Sequence, residues 1–212
     1  MSSVVRNPLK SALRKQIKAV LLTQSPESRK EQSHTVTKKI LDSDAFKQST
    51  RISVYLSLGH EVNTQDILAE MFRQQKEVFV PSYSGNSMVM LKIKDMNDFE
   101  SLPLTKWNIP QPNDDGTREN AVETGGLDLI LLPGVAFTRQ GGRLGHGMGY
   151  YDKFLHEHFN KNPHRRTDSP QSIAEKIAAK RSILLGLAFN EQIVDNVPLE
   201  QTDVLLDEIV TA

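Results

Sequence analysis

The sequence predicts one three-layer α/β domain, spanning residues 1–212, with a mostly parallel central sheet. Three observations carry that prediction. Strand-like runs alternate with segments of helical period along the chain. Residues 51 to 83 hold strand, helix and strand in the order of a right-handed β-α-β crossover. The run "LDLILLPG" (127 to 134) is apolar almost throughout, as a central strand covered on both faces must be.

The elements follow in order. Asn7 and Pro8 suit a helix cap and first turn, opening a helix over 8 to 22. Leu9, Leu13, Ile17, Val20 and Leu21 recur at helical spacing, and Lys10, Arg14 and Lys18 form a basic stripe beside them. Ser25-Pro26-Glu27 starts a second helix running to about residue 47. "RISVYLSL" (51 to 58) reads as a buried strand, and residues 64 to 75 as a helix capped by Thr64. Strands follow at 77 to 83 and 87 to 94. Pro103, Pro110 and Pro112, with Gly116, Gly125 and Gly126, mark 103 to 126 as a long ordered loop around the single Trp107. Beyond the 127 to 134 strand, "YYDKFLHEHF" (150 to 159) is helical. Residues 160 to 181 are polar and basic, a surface excursion with helix from Ser172. Strands at 182 to 189 and 204 to 210 close the sheet.

Composition narrows function. Lys plus Arg and Asp plus Glu number 26 each, so the chain lacks the basic excess of a nucleic-acid or membrane-surface binder. No apolar run reaches the length of a membrane span. There is no cysteine, which excludes disulfides, thiolate metal sites and thiol nucleophiles. The expectation is a cytoplasmic monomer acting on small molecules.

The chemistry concentrates in "RLGHGMGYYD" (143 to 152). Its glycines match neither GxxxxGK[ST] nor GxGxxG. Two readings stand side by side: a phosphate cradle at a helix start, or a plain glycine-rich turn. Arg143 suits an anion, and Asp152 suits either the helix dipole or Mg²⁺. Adjacent Tyr150 and Tyr151 cannot both face inward on a helix. Glu61 stands two residues past Gly59, where polar site residues gather, and forms no metal motif with His60.

Taken together, "RLGHGMGYYD", "LPGVAF" (132 to 137), "WNIPQP" (107 to 112) and "KSALRKQIK" (10 to 18) resemble the 5-formyltetrahydrofolate cyclo-ligase family, from about residue 9 to the last strand. The resemblance implies an ATP- and Mg²⁺-dependent conversion of 5-formyltetrahydrofolate to 5,10-methenyltetrahydrofolate, with ADP and phosphate released. It implies phosphate contacts from Lys10 and Arg14, and a nucleotide wrapped by Arg143, Leu144, Gly145, His146, Gly147, Met148, Gly149, Tyr150 and Tyr151. It implies Mg²⁺ on Asp152 and Asp203. Leu56, Glu61, Trp107, His146, Tyr150 and Tyr151 would border the folate, with Tyr151 and His146 nearest the reaction. Lys92, Lys94 and Lys106 are candidates for a polyglutamate tail. Two positions depart from the family's commonest form: His146 replaces an arginine, and Met148 a lysine or small residue. Two alternatives stay open, a binding module that has lost catalysis and a sugar-phosphate isomerase or CoA-transferase of similar fold.

Overall fold

The computed structural model describes residues 7–106, 108–167 and 170–212. Helix α1 (Pro8–Thr23) opens as expected, with the Asn7 side chain accepting from the amides of Leu9 and Lys10. Its buried face differs. Ile17 and Leu21 are buried, but Leu9 is 65% exposed and Val20 38%. Lys10 turns inward in their place, because its ammonium meets the Asp203 carboxylate at 2.6 Å.

The expected second helix is two. The Ser43 hydroxyl donates to Ile40 O at the end of α2 (Pro26–Asp42) and accepts from the Phe46 amide, starting α3 (Asp44–Gln48). Strand β1 covers only Arg51–Ser53. The chain then peels away, since the Tyr55 hydroxyl donates to Val62 O and the Thr64 hydroxyl to Tyr55 O. Thr64 is thus occupied and gives α4 (Gln65–Arg73) no side-chain cap. The departing segment becomes a wall of the site rather than a continuation of the sheet.

Strands β2 (Glu77–Ser84) and β3 (Ser87–Ile93) form a hairpin, followed by a short helix α5 (Met96–Glu100). The 103 to 126 connection lies on β3 through a bridge between Leu91 and Asn120. Strand β4 (Leu129–Leu132) is buried throughout. A small antiparallel pair, β5 (Ala136–Phe137) and β6 (Arg143–Leu144), intervenes before α6 (Tyr150–Lys161). Helix α7 (Ile173–Ala178) carries a Ser172–Glu175 capping box. Strands β7 (Ile183–Leu187) and β8 (Glu208–Val210) follow. The six-stranded sheet runs β3-β2-β1-β4-β7-β8, with every pairing parallel except β2–β3. Helices flank it. Among the described residues no helix is long and apolar enough to cross a membrane.

The 160 to 181 segment is more than surface decoration. Asn162 donates from the interior to Val122 O at 2.9 Å, Arg165 pairs with Asp128 at 2.5 Å, and Lys176 with Asp207 at 2.6 Å. Both aspartates immediately precede strands, so the segment clamps the amino ends of β4 and β8.

Helix α6, which carries the second half of the glycine motif, is anchored by His158, fully buried against Phe154 and Phe159. Ser182 donates its hydroxyl proton to Leu127 O at 2.6 Å, so its oxygen accepts from His158 Nε2–H at 2.9 Å. That leaves Nδ1 as the bare lone pair, and it has no hydrogen-bond partner among the described residues. Burial, then the nearby positive Arg165 and His164, push the imidazole down from 6.5 to about 4. The folded state refuses a proton that the unfolded chain takes. Its contribution is complete above pH 6.5 and is lost as pH falls toward 4, at a cost of about 3 kcal/mol. Urea titrations across that window are expected to record this loss, and His158→Gln to flatten it.

Candidate active site

A cavity of about 640 Å³ opens beyond the carboxyl ends of β1, β2 and β4. This is where a parallel sheet offers a ligand its crevice. Leu56 and Glu61 line it from the loop after β1, Tyr83 from the end of β2, and Ile109 and Pro110 from the long connection. The stretch Arg143 to Asp152 forms the facing wall.

That wall needs its glycines. Gly147 has φ +106° and Gly149 φ +68°, both left-handed, and Gly149 is the residue from which α6 starts. Arg14 reaches across from α1. Its Nε donates to Gly145 O at 2.8 Å, and a Cβ on Gly147 would come to 3.4 Å of the guanidinium carbon. The N-terminal helix and the glycine loop therefore meet directly. His146 and Met148, between the glycines, stand out from this support. The His146 side chain is 47% exposed and Met148 51%.

Beneath the loop lies an ion pair. Arg143, its side chain only 4% exposed, donates from Nη2 to Asp152 Oδ2 at 2.9 Å, and its guanidinium faces the Tyr151 ring at 5.5 Å. The other Asp152 oxygen accepts from the Val204 amide at 3.4 Å. Next to Val204, Asp203 holds Lys10 and accepts from the Glu200 amide at 2.8 Å. Asp152 of α6 and Asp203 before β8 thus meet at one place, each neutralised by a cation from a different element. Lys10 and Asp203 lie off the main cavity, on the α1 side of Asp152.

The two tyrosines divide as their adjacency requires. Tyr150 donates to Gly85 O at 2.9 Å and meets Tyr83 edge-on at 5.0 Å between ring centres. Tyr151 is buried, and its hydroxyl has no hydrogen-bond partner among the described residues by bonding geometry. It faces the Tyr83 phenol closely enough to influence it. Burial first, then that neighbour, raises Tyr151 well above the ordinary phenol value, and burial pushes Tyr83 up to about 12. Both stay protonated at neutral pH. Tyr151, which lines the cavity, is therefore a phenol able to donate rather than a base.

Glu61 is buried in a tight turn. Its amide donates to Leu58 O at 2.9 Å and its Oε2 accepts from the Leu58 amide at 2.8 Å. Oε1 is left for His146 Nε2, 3.2 Å away.

Of the expected positions, Leu56, Glu61, Arg143, Gly145, His146, Met148, Gly149, Tyr150, Tyr151 and Asp152 line the cavity, Lys10, Arg14 and Asp203 gather behind it, and Trp107 lies outside the described residues. Of the tail candidates, Lys106 lines the cavity. Lys92 does not. It pairs with Glu77 and Glu119 at 2.8 and 2.9 Å, at the amino end of β2 and far from the cleft. Lys94 follows β3 at that same end. Tyr83 is a wall residue that sequence reasoning passed over; its one signal was its place at the carboxyl end of a strand. His60 was set aside as a metal donor, yet its ring stands 5.8 Å from that of His146.

An α/β domain with a cleft at its strand ends, a glycine loop opening a helix, and carboxylates beside a lysine defines a small-molecule enzyme that handles anionic groups. Comparison with known proteins makes this particular. The family model described as "5-formyltetrahydrofolate cyclo-ligase family" matches residues 6–212. The chain is 40% identical to a probable 5-formyltetrahydrofolate cyclo-ligase of Caenorhabditis elegans, over 95% of this chain and 92% of that one. It is 37% identical to the 5-formyltetrahydrofolate cyclo-ligase of Mus musculus, over 99% and 97%. Its fold matches the solution structure of Aquifex aeolicus 5,10-methenyltetrahydrofolate synthetase with a TM-score of 0.70 at 25% identity, covering 95% and 89% of the two chains. The chain belongs to the 5-formyltetrahydrofolate cyclo-ligase family.

Removing the Arg143 cation would leave the partly buried Asp152 charge without its partner. Arg143→Met is expected to lower folding stability by about 3 kcal/mol, read from the urea midpoint at constant slope.

Proposed function

We propose that the chain cyclises 5-formyltetrahydrofolate to 5,10-methenyltetrahydrofolate at the expense of ATP. The observation that carries this is the double role of the glycine loop. One side walls a cavity of about 640 Å³ suited to a pteridine-sized ligand. The other side meets Arg14 and leads to Lys10 and two carboxylates.

On this reading the folate formyl oxygen attacks the γ-phosphorus of ATP, and ADP leaves. N10 then attacks the activated formyl carbon and gives up its proton, which is carried off with the phosphate. Inorganic phosphate departs with the formyl oxygen, leaving the cationic methenyl bridge between N5 and N10. No protein nucleophile is required, so positioning and charge stabilisation do the work. Leu56, Glu61 and Tyr150 border the folate, with Trp107 beside them by family resemblance. Tyr151, protonated and buried, donates toward the formyl oxygen. Gly145, Gly147 and Gly149 let the backbone approach the phosphates, with Leu144, His146 and Met148 alongside. Lys10 and Arg14 bind phosphate oxygens, and Arg143 holds Asp152 in place.

Asp152 and Asp203 offer carboxylate oxygens within reach of the same segment, a donor set that suits Mg²⁺. They would hold it beside the triphosphate, where it neutralises charge on the transferring group. Lys10, which now balances Asp203, would then turn to phosphate. The lack of cysteine fits a reducing compartment, and the proposed setting is the cytoplasm, with small molecules as partners. The family match leaves the isomerase and CoA-transferase alternatives without support.

The near-ultraviolet absorbance of methenyltetrahydrofolate tests the reading. Purified protein with 5-formyltetrahydrofolate and Mg-ATP is expected to develop it, and binding of both substrates without turnover would overturn the proposal in favour of a module that has lost catalysis. Lys10→Met is expected to raise the KM for ATP about tenfold, whereas an unchanged KM would remove Lys10 from the phosphate site. His146→Arg, which supplies a permanent charge and a bidentate fork, is expected to lower the KM for ATP.

A further inference from the structure

We infer that His60, Glu61 and His146 form a three-donor site for a divalent transition ion of the zinc class at the rim of the cleft. Their ligand atoms lie within 4.8 Å of one another, the one such His and carboxylate group among the described residues. A tetrahedral ion with bonds of about 2.1 Å sets its ligands roughly 3.4 Å apart. Glu61 Oε1 and His146 Nε2, at 3.2 Å, already stand at that spacing. Only His60 has to close in, and its ring lies edge-on to that of His146 with centres 5.8 Å apart.

The donors are held from behind, as metal ligands require. The Leu58 amide occupies Glu61 Oε2 and so turns Oε1 toward the histidines. Arg29 of α2 donates to Gly59 O at 2.7 Å, fixing the backbone next to His60. Arg14 of α1 does the same for Gly145, next to His146. Two loops far apart in sequence are thus each pinned by an arginine beside a ligand.

Donor chemistry selects the ion. Two imidazoles and a carboxylate suit zinc, cobalt, nickel or copper, not Mg²⁺, which takes oxygen ligands. Three protein donors leave a fourth position facing the cleft. This site is separate from the Asp152 and Asp203 carboxylates, and it stands whether or not the chain cyclises folate.

Cobalt supplies the probe, because its visible absorption reports coordination directly. Titrating chelator-treated protein with Co²⁺ is expected to give a ligand-field spectrum saturating at one ion per chain, which Zn²⁺ displaces. His60→Ala and His146→Arg are expected to abolish it. The arginine is the residue that the family resemblance places at 146, so it preserves the fold while removing the donor, and each variant's thermal midpoint checks this. His156→Ala is expected to leave the spectrum intact. Absence of a saturable spectrum, or one that survives both His60→Ala and His146→Arg, overturns the assignment.

Discussion

The site hangs on the Arg143–Asp152 ion pair. Arg143 opens β6, just before the glycine loop, and Asp152 lies in the first turn of α6 just after it, so the pair closes the loop at its two ends. Between them run three glycines whose backbone freedom would otherwise leave the loop without a fixed shape. Asp152 also accepts from Val204, which brings the chain before β8 to the same point, and Asp203 beside it captures Lys10 from α1. Four separate parts of the chain are thereby registered against one another through two carboxylates. A buried ion pair is a weak source of net stability, because desolvation offsets attraction. Its value here is geometric.

The class of the sheet was legible because its signals are local and repeated. The β-α-β unit from 51 to 83 and the apolar run at 127 to 134 both stand in a sheet of the expected class. What escaped were decisions made by tertiary contact. "VYLSL" looks like strand, yet Tyr55 and Thr64 bond each other's segment and curl it into a wall of the cavity. The β5–β6 pair has two residues per strand, too short for any period to register. On α1, Lys10 displaced Leu9 from the inward face because an aspartate 193 positions away waited there.

The site followed the same rule. "RLGHGMGYYD" located the glycine loop, since glycine density and a following helix are visible in one dimension. The contact of Arg14 with Gly145 spans 131 positions, and that of Glu61 with His146 spans 85. No spacing rule reaches so far. Tyr83 carried no motif of its own, and only the folded hairpin sets it against Tyr150.

His146 now has a definite setting. The loop around it is rigidly supported, by Arg14 beneath Gly147 and by Tyr150 tied to Gly85. The side chain itself is not sunk into that support; it stands half-exposed and turns to Glu61. An arginine in this place could span toward an anion and still reach Glu61, because its fork carries five donors. Imidazole has only two nitrogens. Its Nε2 faces Glu61, and His60 stands edge-on beside the ring. Relative to the arginine that the family resemblance implies here, histidine gives up a permanent positive charge and sets an imidazole against a buried carboxylate. On the proposed assignment that corner takes a cation, while the glycines, the ion pair and the helix dipole stay available to phosphate.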